Sequence, residues 1–308
     1  MSGLSAGAPP DALFLGGQDW GLPPVSPPAS RRDGHRYLIA CVRHHMSCAR
    51  MLRIDHVMGL HRLYCVPRGF SARDGLYVRY PADELYAILT IESHRHHCAL
   101  VGEDLGTVPD EVRPMMKKHG LGGLFVGVFA MPQAVGQSPA APAAEQVASL
   151  DTHDTATFGG WWRGADIDDR RALGLINDNV VARERVERAV TRAALVTWAD
   201  DPAGPRAAPA VAPAAVTPPA TGAIGAIDDV RACARAMTAC TLDLAASPAH
   251  VVLVTVEDLW LEPAPQNVPG TSDERPNWRR PWSRPLDQVL ADPALAAALT
   301  AVATRRPR

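Results

Sequence analysis

Apolar residues along the chain fall into two rhythms. In HRYLIACVRHHMSCARM (35–51), LYAILTIESHRHH (85–97) and VPDEVRPMMKKHG (108–120) they recur every three to four positions, which predicts amphipathic helices. Between them lie shorter apolar runs, in LRIDH, CALVGED, GLFVGVF, ASLDTHD and HVVLVTVED, each bounded by Gly, Pro or polar residues and each read as a strand. Alternation of the two types predicts an α/β fold built on a parallel sheet, with strands ending near 55, 103, 129, 154 and 257. Residues 1–34, rich in Pro and Gly, are expected to be ordered but irregular, because Leu13, Phe14, Leu15 and Trp20 call for burial. Residues 201–226 form an Ala/Pro-rich, low-complexity stretch expected to be an exposed loop or linker, and no internal repeat interrupts the pattern.

Composition narrows the function classes. The chain has 308 residues, 47% of them hydrophobic and 21% charged, within the ordinary globular range. A formal net charge of −2 gives no reason to expect a nucleic-acid partner or a membrane surface. Of the 31 Lys and Arg residues, Lys117 and Lys118 are the sole lysines; with the abundant Ala and Pro this reflects coding bias more than function. Six cysteines lie on apolar stretches without CxxC spacing, as in a reduced protein, and the start lacks a basic-then-apolar signal pattern. A cytoplasmic location is the resulting expectation.

Candidate chemistry then gathers at the predicted strand ends. Asp55, Glu103 and Asp154 each close an apolar run, and Glu257-Asp258 closes a fourth. Acids collected at the C-terminal ends of parallel strands are the layout of a barrel with its active site on that face. Two carboxyl groups about 5–5.5 Å apart suit retaining glycoside chemistry, one attacking the anomeric carbon and the other cycling a proton. Neighbouring strands lie about 4.8 Å apart, so Asp55 and Glu103 can meet that requirement. Other readings stand beside this one. RIDH also fits an Arg–Asp ion pair at a strand end, and THDT an N-cap. HRHHC (94–98) sits on a helix without a matching ligand cluster, so no metal site is expected. His44-His45 fits a helix surface or a satisfied interior pair, and Trp161-Trp162 suits a core better than a sugar platform.

Taken in order, GAPPD, GQDWGLPP, LRIDHVMGL, DGLYVRYP, ESHRHHCALVGEDLGTVP, THDTATFGGWW and EPAPQNVPGTSDERPNWRR resemble 4-alpha-glucanotransferase (amylomaltase, or disproportionating enzyme) of glycoside hydrolase family 77. The similarity runs over almost the whole chain apart from the Ala/Pro stretch. It implies a (β/α)8 TIM barrel, an α-1,4-glucan or maltooligosaccharide substrate, a covalent glucosyl-enzyme intermediate, transfer to a 4-hydroxyl, and no cofactor or metal. It also implies roles: Asp55 as nucleophile, Glu103 as acid/base, Asp154 as transition-state stabiliser, Arg53 holding the nucleophile ionised and oriented, and His153 on sugar hydroxyls. Trp20 of GQDWG is expected on a mobile loop at the acceptor side, helping to exclude water; Asn267 and Pro269 belong to the loop after the last strand. Asp104 is expected to shape the turn or pair locally. Choice of transfer over hydrolysis rests on the resemblance, since nothing in the three acids selects between water and a sugar hydroxyl.

The chain departs from that family in two ways. The match begins after what would be the third barrel strand, so the five strands correspond to strands four to eight and the first three are expected to be missing. A fragment, one half of an enzyme completed by another chain, and a shortened glucan-binding protein without turnover all fit this. Cys65 stands where relatives commonly carry an aromatic. A glucan hydrolase of the same clan and an inactive glucan-binding remnant are the alternatives to the transferase.

Overall fold

The computed structural model describes residues 1–11, 15–201, 224–271 and 273–306. These fall into two compact units, Met1–Leu124 and Phe125–Arg308. Most of the Ala/Pro stretch, together with Leu13 and Phe14, lies outside the described residues.

The first unit runs β1 (Leu4–Ala8), β2 (Gln18–Asp19), α1 (Pro27–Arg32), α2 (Arg36–Met46), β3 (Met51–Ile54), β4 (Arg62–Pro67), β5 (Leu76–Arg79), α3 (Ala82–His96), β6 (Ala99–Gly102), α4 (Val112–Lys118) and β7 (Leu121–Gly122). Helix α2 sets Val42 and Met46 on one face, and α3 sets Leu85 and Leu89 on another; both stripes enter one core with Tyr86, Leu100, Val112 and Met116. Glu92 lies inside at 2% exposure because Arg43 donates to it twice, at 2.8 and 2.9 Å, and Arg95 once at 2.8 Å. The exposed Lys117 and Lys118 close the last turn of α4, where cations complement the helix dipole.

Two sheets organise this unit. Strands β3, β6 and β7 form a parallel sheet in that order, with Ile54 opposite Gly102. Gly102 cannot be larger, since a Cβ there would come within 2.8 Å of Val57 and 2.9 Å of Met116. The second sheet, in the order β2-β1-β4-β5, is antiparallel. Its strand β1, LSAGA, is built of small residues because β2 approaches closely: a Cβ on Gly7 would fall 2.0 Å from the Gln18 carbonyl oxygen.

The second unit contains β8 (Leu124–Val126, which straddles the boundary), β9 (Val147–Ser149), α5 (Phe158–Arg163), α6 (Ala165–Ala172), α7 (Asp178–Asp200), α8 (Ile224–Ala246), β10 (Val251–Leu253), α9 (Leu286–Ala291) and α10 (Pro293–Arg305). Its sheet has the order β10-β9-β8, and β9 and β10 are parallel with Ser149 opposite Leu253. Phe158, Trp162, Leu195, Met237, Cys240 and Trp260 build its core. Trp162 is 1% exposed, donates its indole N–H to Asp229 and lies under the Arg192 guanidinium, so it is core as the sequence suggests. Trp161, half-buried, has the Arg188 guanidinium stacked on it.

The mixed α/β character and the helices α2, α3 and α4 agree with the sequence pattern, and several boundaries do not. GLFVGVF (123–129) is strand only over β8 and closes in a 3-10 turn, Gly127–Phe129, and a break separates it from the preceding β7, which belongs to a different sheet. The break falls at Gly123, where a Cβ would sit 3.1 Å from the Asp104 carboxylate, and Leu124 donates its N–H to that carboxylate at 2.9 Å. Strand β9 stops at Ser149, so Asp154 lies on a turn beyond the strand; β10 stops at Leu253, and Glu257-Asp258 lie in a 3-10 turn, Val256–Trp260. Residues 1–34 hold regular structure after all, in β1, β2 and α1, because pairing with β4 compensates for the weak strand propensity of LSAGA. Leu15 is 55% exposed rather than buried. Among the described residues no helix is long and apolar enough to cross a membrane, and all six cysteines are free.

Two residues on α3 test this packing. Leu89 is 1% exposed and Ile91 is 50% exposed. Leu89→Ala is expected to cost about 2–5 kcal/mol in urea unfolding, whereas Ile91→Ala should stay within about 0.5 kcal/mol of the parent.

Candidate active site

The first unit brings together Arg53, Asp55, Glu103 and Trp20. Parallel pairing of β3 with β6 puts Ile54 beside Gly102, and the next residue on each strand is an acid, Asp55 and Glu103. Inter-strand spacing near 4.8 Å sets the separation of their backbones. Arg53, one residue before Ile54, makes an ion pair with Asp55 at 2.5 Å. Asp55 is exposed, whereas Glu103 is half-buried and held by backbone: its carboxylate accepts the His56 N–H at 2.9 Å and the Leu105 N–H at 2.8 Å.

The electrostatics of Glu103 follow from that setting. Burial pushes its carboxyl above the usual glutamate range, and the Asp55 charge pushes the same way; the two backbone N–H groups and Arg53 oppose this without cancelling it. His56 does not supply a compensating cation, because burial pulls its imidazole below its ordinary range despite the nearby Asp55. Arg53 is therefore the counter-charge of the pair.

Trp20 reaches this corner through His56. Its ring meets the imidazole edge-on with centroids 5.1 Å apart. The GQDWG segment is fixed by β1: Trp20 donates its N–H to the Ala6 carbonyl at 2.9 Å, and Asp19 accepts from the Ser5 hydroxyl and the Gly21 N–H. Asp104 faces away into a brace, 5% exposed, accepting from Arg113 Nε at 2.9 Å and from the Leu124 N–H. It pairs locally, as its position in the sequence suggested.

The second unit brings together His153, Asp154 and Asn267. Asn267 donates from Nδ2 to Asp154 Oδ1 at 2.7 Å, and His153 Nε2 lies 3.0 Å from Asp154 Oδ2. The turn that carries Asp154 is closed on itself, with Thr152 Oγ1 accepting the Asp154 N–H at 3.2 Å and Thr155 Oγ1 accepting the Thr152 N–H at 2.9 Å. The THDT hydroxyls therefore act as a turn clamp, while Thr157 is the residue that caps α5. Pro269 is half-buried in the Asn267 loop, which Asn277 secures by accepting the Val268 N–H at 3.2 Å. The His-rich HRHHC segment serves structure: His94 hydrogen-bonds the Thr90 carbonyl and His96 faces Glu92.

Three features escaped the sequence. His56 takes a left-handed conformation at φ 45°, which turns its N–H toward Glu103, and no residue type announces that. Trp278, also left-handed at φ 60°, packs against His153 with centroids 5.6 Å apart; it lies within the PNWRR motif, which by itself assigns it no role. Asp151 and Asp258 are both buried at 2% exposure; Asp258 reads in the sequence as an acid closing an apolar run, and no residue type announces the burial of either.

Residues 1–285 match the family model described as 4-alpha-glucanotransferase. The 4-alpha-glucanotransferase of Haemophilus influenzae is 35% identical over 295 residues, covering 94% of this chain and 40% of its own length. The crystal structure of amylomaltase from Corynebacterium glutamicum superposes with a TM-score of 0.76 at 24% identity, covering 97% of this chain and 42% of that one. Amylomaltase from Streptococcus agalactiae in complex with acarbose gives a TM-score of 0.70 at 18% identity, covering 99% of this chain and 52% of that one. The chain thus spans less than half the length of the curated relative, and the structural likenesses establish a shared fold.

Because the Asp55 charge lifts the Glu103 carboxyl, Asp55→Asn should lower the Glu103 titration midpoint toward the ordinary glutamate range. Carboxyl carbon NMR titration of glutamate-labelled protein measures this, and an unchanged or higher midpoint would contradict the coupling.

Proposed function

Because the chain belongs to the 4-alpha-glucanotransferase family, we propose that it moves a segment of an α-1,4-glucan to the 4-hydroxyl of another sugar by a retaining double displacement. The observation that carries the proposal is the β3–β6 register, which sets an ion-paired Asp55 beside a Glu103 whose proton affinity is raised. Retention needs such a pair about 5–5.5 Å apart.

In the first step Asp55 attacks the anomeric carbon while protonated Glu103 gives its proton to the departing glycosidic oxygen. Forming the ester removes the Asp55 charge, and with it one of the influences that raise Glu103. Glu103 then loses its proton more readily and accepts the one released by the incoming 4-hydroxyl. The charge of the nucleophile thus assists the proton cycle, alongside the larger influence of burial. His56 and Leu105 hold the carboxylate form through backbone N–H groups that need no rearrangement.

Asp154, oriented by His153 and Asn267, is assigned the stabilisation of oxocarbenium charge, and His153 contact with sugar hydroxyls. Trp20 is assigned to the acceptor side, where an aromatic face against the Asp55 corner disfavours water as the attacking group. Pro269 shapes the Asn267 loop at the substrate. We further propose that the chain's parallel strands are strands four to eight of a (β/α)8 barrel, with the others furnished by a further segment, and that the six free thiols operate in the reducing cytoplasm.

The test uses maltotriose with the 308-residue chain, alone and fused to the portion of the Haemophilus influenzae relative outside the matched stretch. A ladder of longer maltooligosaccharides plus glucose is expected from the fusion. Glucose without longer products would assign hydrolysis instead, and binding without any product would remove the catalytic role. Glu103→Gln should reduce turnover about 10²–10⁴-fold, the range for loss of a general acid–base, and Asp55→Asn should prevent a glycosyl adduct from being seen by mass spectrometry. Near-normal turnover in either variant would sink the assignment.

A further inference from the structure

Beneath the turn that bears Asp154, the second unit buries two more acids that the reaction above does not use. Asp151 follows β9 and Asp258 lies in the 3-10 turn after β10; each is 2% exposed. They converge on the Phe158 N–H. Asp151 Oδ1 accepts the Thr255 hydroxyl at 2.5 Å, Asp258 Oδ1 accepts the Phe158 N–H at 2.8 Å, and the two carboxyl groups lie within hydrogen-bond reach of each other. Among the described residues Asp151 Oδ2 has no hydrogen-bond partner. Two carboxylates in so dry a place, with no ion pair to either among the described residues, cannot both be ionised.

The pair sits at the base of two paths to the site. On one side the chain leads from Asp151 into the Thr152–Thr155 clamp and so to Asp154. On the other, Glu257, adjacent to Asp258, accepts from Gln266 Nε2 at 2.8 Å and from Arg280 at 3.2 Å, and the residue after Gln266 is Asn267, which closes the circuit by donating to Asp154. We propose that Asp151 and Asp258 share one proton at neutral pH and act as positioning residues, fixing the Asp154 turn against the segment that delivers Asn267. The proposal deepens the transferase reading and rests on it for the meaning of Asp154, although the proton and the joint it makes are properties of the fold.

Its sign is fixed. Burial raises the folded titration of both above the ordinary aspartate range, and the Asp151 charge raises Asp258 further. The stabilisation is complete below that ordinary range and is lost as pH rises through the raised one. Glu257 also faces the pair and raises it further, itself held by Arg280; the Cys233 thiol, pushed up to about 12 by burial, faces Asp258 and stays neutral across the range.

The experiment compares the 308-residue chain with Asp258→Asn, Asp151→Asn and Asp258→Ala. An asparagine keeps an acceptor and supplies a fixed N–H in place of the shared proton. In the parent, the thermal midpoint should fall with rising pH by the amount expected for about one linked proton, a protonated-carboxyl infrared band should be present at neutral pH, and the Asn267 side-chain amide resonance should shift as that band disappears. Each asparagine variant should fold, lose the band and the one-proton slope, and hold the Asn267 resonance constant. Asp258→Ala should lower the midpoint at every pH. An unchanged slope in both asparagine variants, or a parent without the band, would overturn the shared proton; a constant Asn267 resonance in the parent would overturn the positioning role. None of these readouts requires turnover, so their failure is separable from failure of the transferase assignment.

Discussion

A parallel register that sets one carboxyl beside another creates a problem of like charge, and much of the first unit is arranged around it. Strands β3 and β6 end in step, so Asp55 and Glu103 leave the sheet side by side. The repulsion is managed asymmetrically. Asp55 stays in solvent with Arg53, and Glu103 withdraws among backbone donors and apolar neighbours, where a proton is easier to keep. Gly102 makes that withdrawal possible, since any side chain there would strike Val57 and Met116 and push β6 away from the helices behind it. A difference in burial between two otherwise similar acids is what separates a nucleophile from a proton donor.

The second unit answers the same difficulty differently. Asp154 remains half-exposed between an imidazole and an amide. Its near neighbours in the fold, Asp151 and Asp258, are paired and almost fully buried. One unit thus keeps one member of its acid pair in solvent beside an arginine, and the other holds both members of a pair almost fully inside.

Much of this was legible in the sequence where local rules decide. The helices α2, α3 and α4 follow from apolar spacing, and Asp55 and Glu103 stand at strand ends because the apolar runs before them end there. What was not legible depends on partners far away along the chain. Strand β1 has poor strand residues and exists because β4 and β2 flank it. Strands β7 and β8 part at Gly123, where Asp104, some twenty residues earlier, captures the Leu124 N–H. The left-handed turns at His56 and Trp278 are imposed by what their backbones and rings must meet, and neither residue type signals it. The strand pattern put Asp154 at the end of an apolar run, whereas its turn lies beyond β9, which stops at Ser149.

The two adjacent lysines at the end of α4 have a practical consequence. They are the sole lysines of the chain, both exposed, and they follow Glu103 yet precede the boundary at Leu124. A lysine-specific protease therefore has one short stretch at which to act. Its cut would divide the chain into a piece ending at Lys118, bearing Arg53, Asp55 and Glu103, and a piece beginning at His119, bearing His153, Asp154 and Asn267. Arginine-rich coding has in effect left the chain with a single natural scissor point between its two groups of acids.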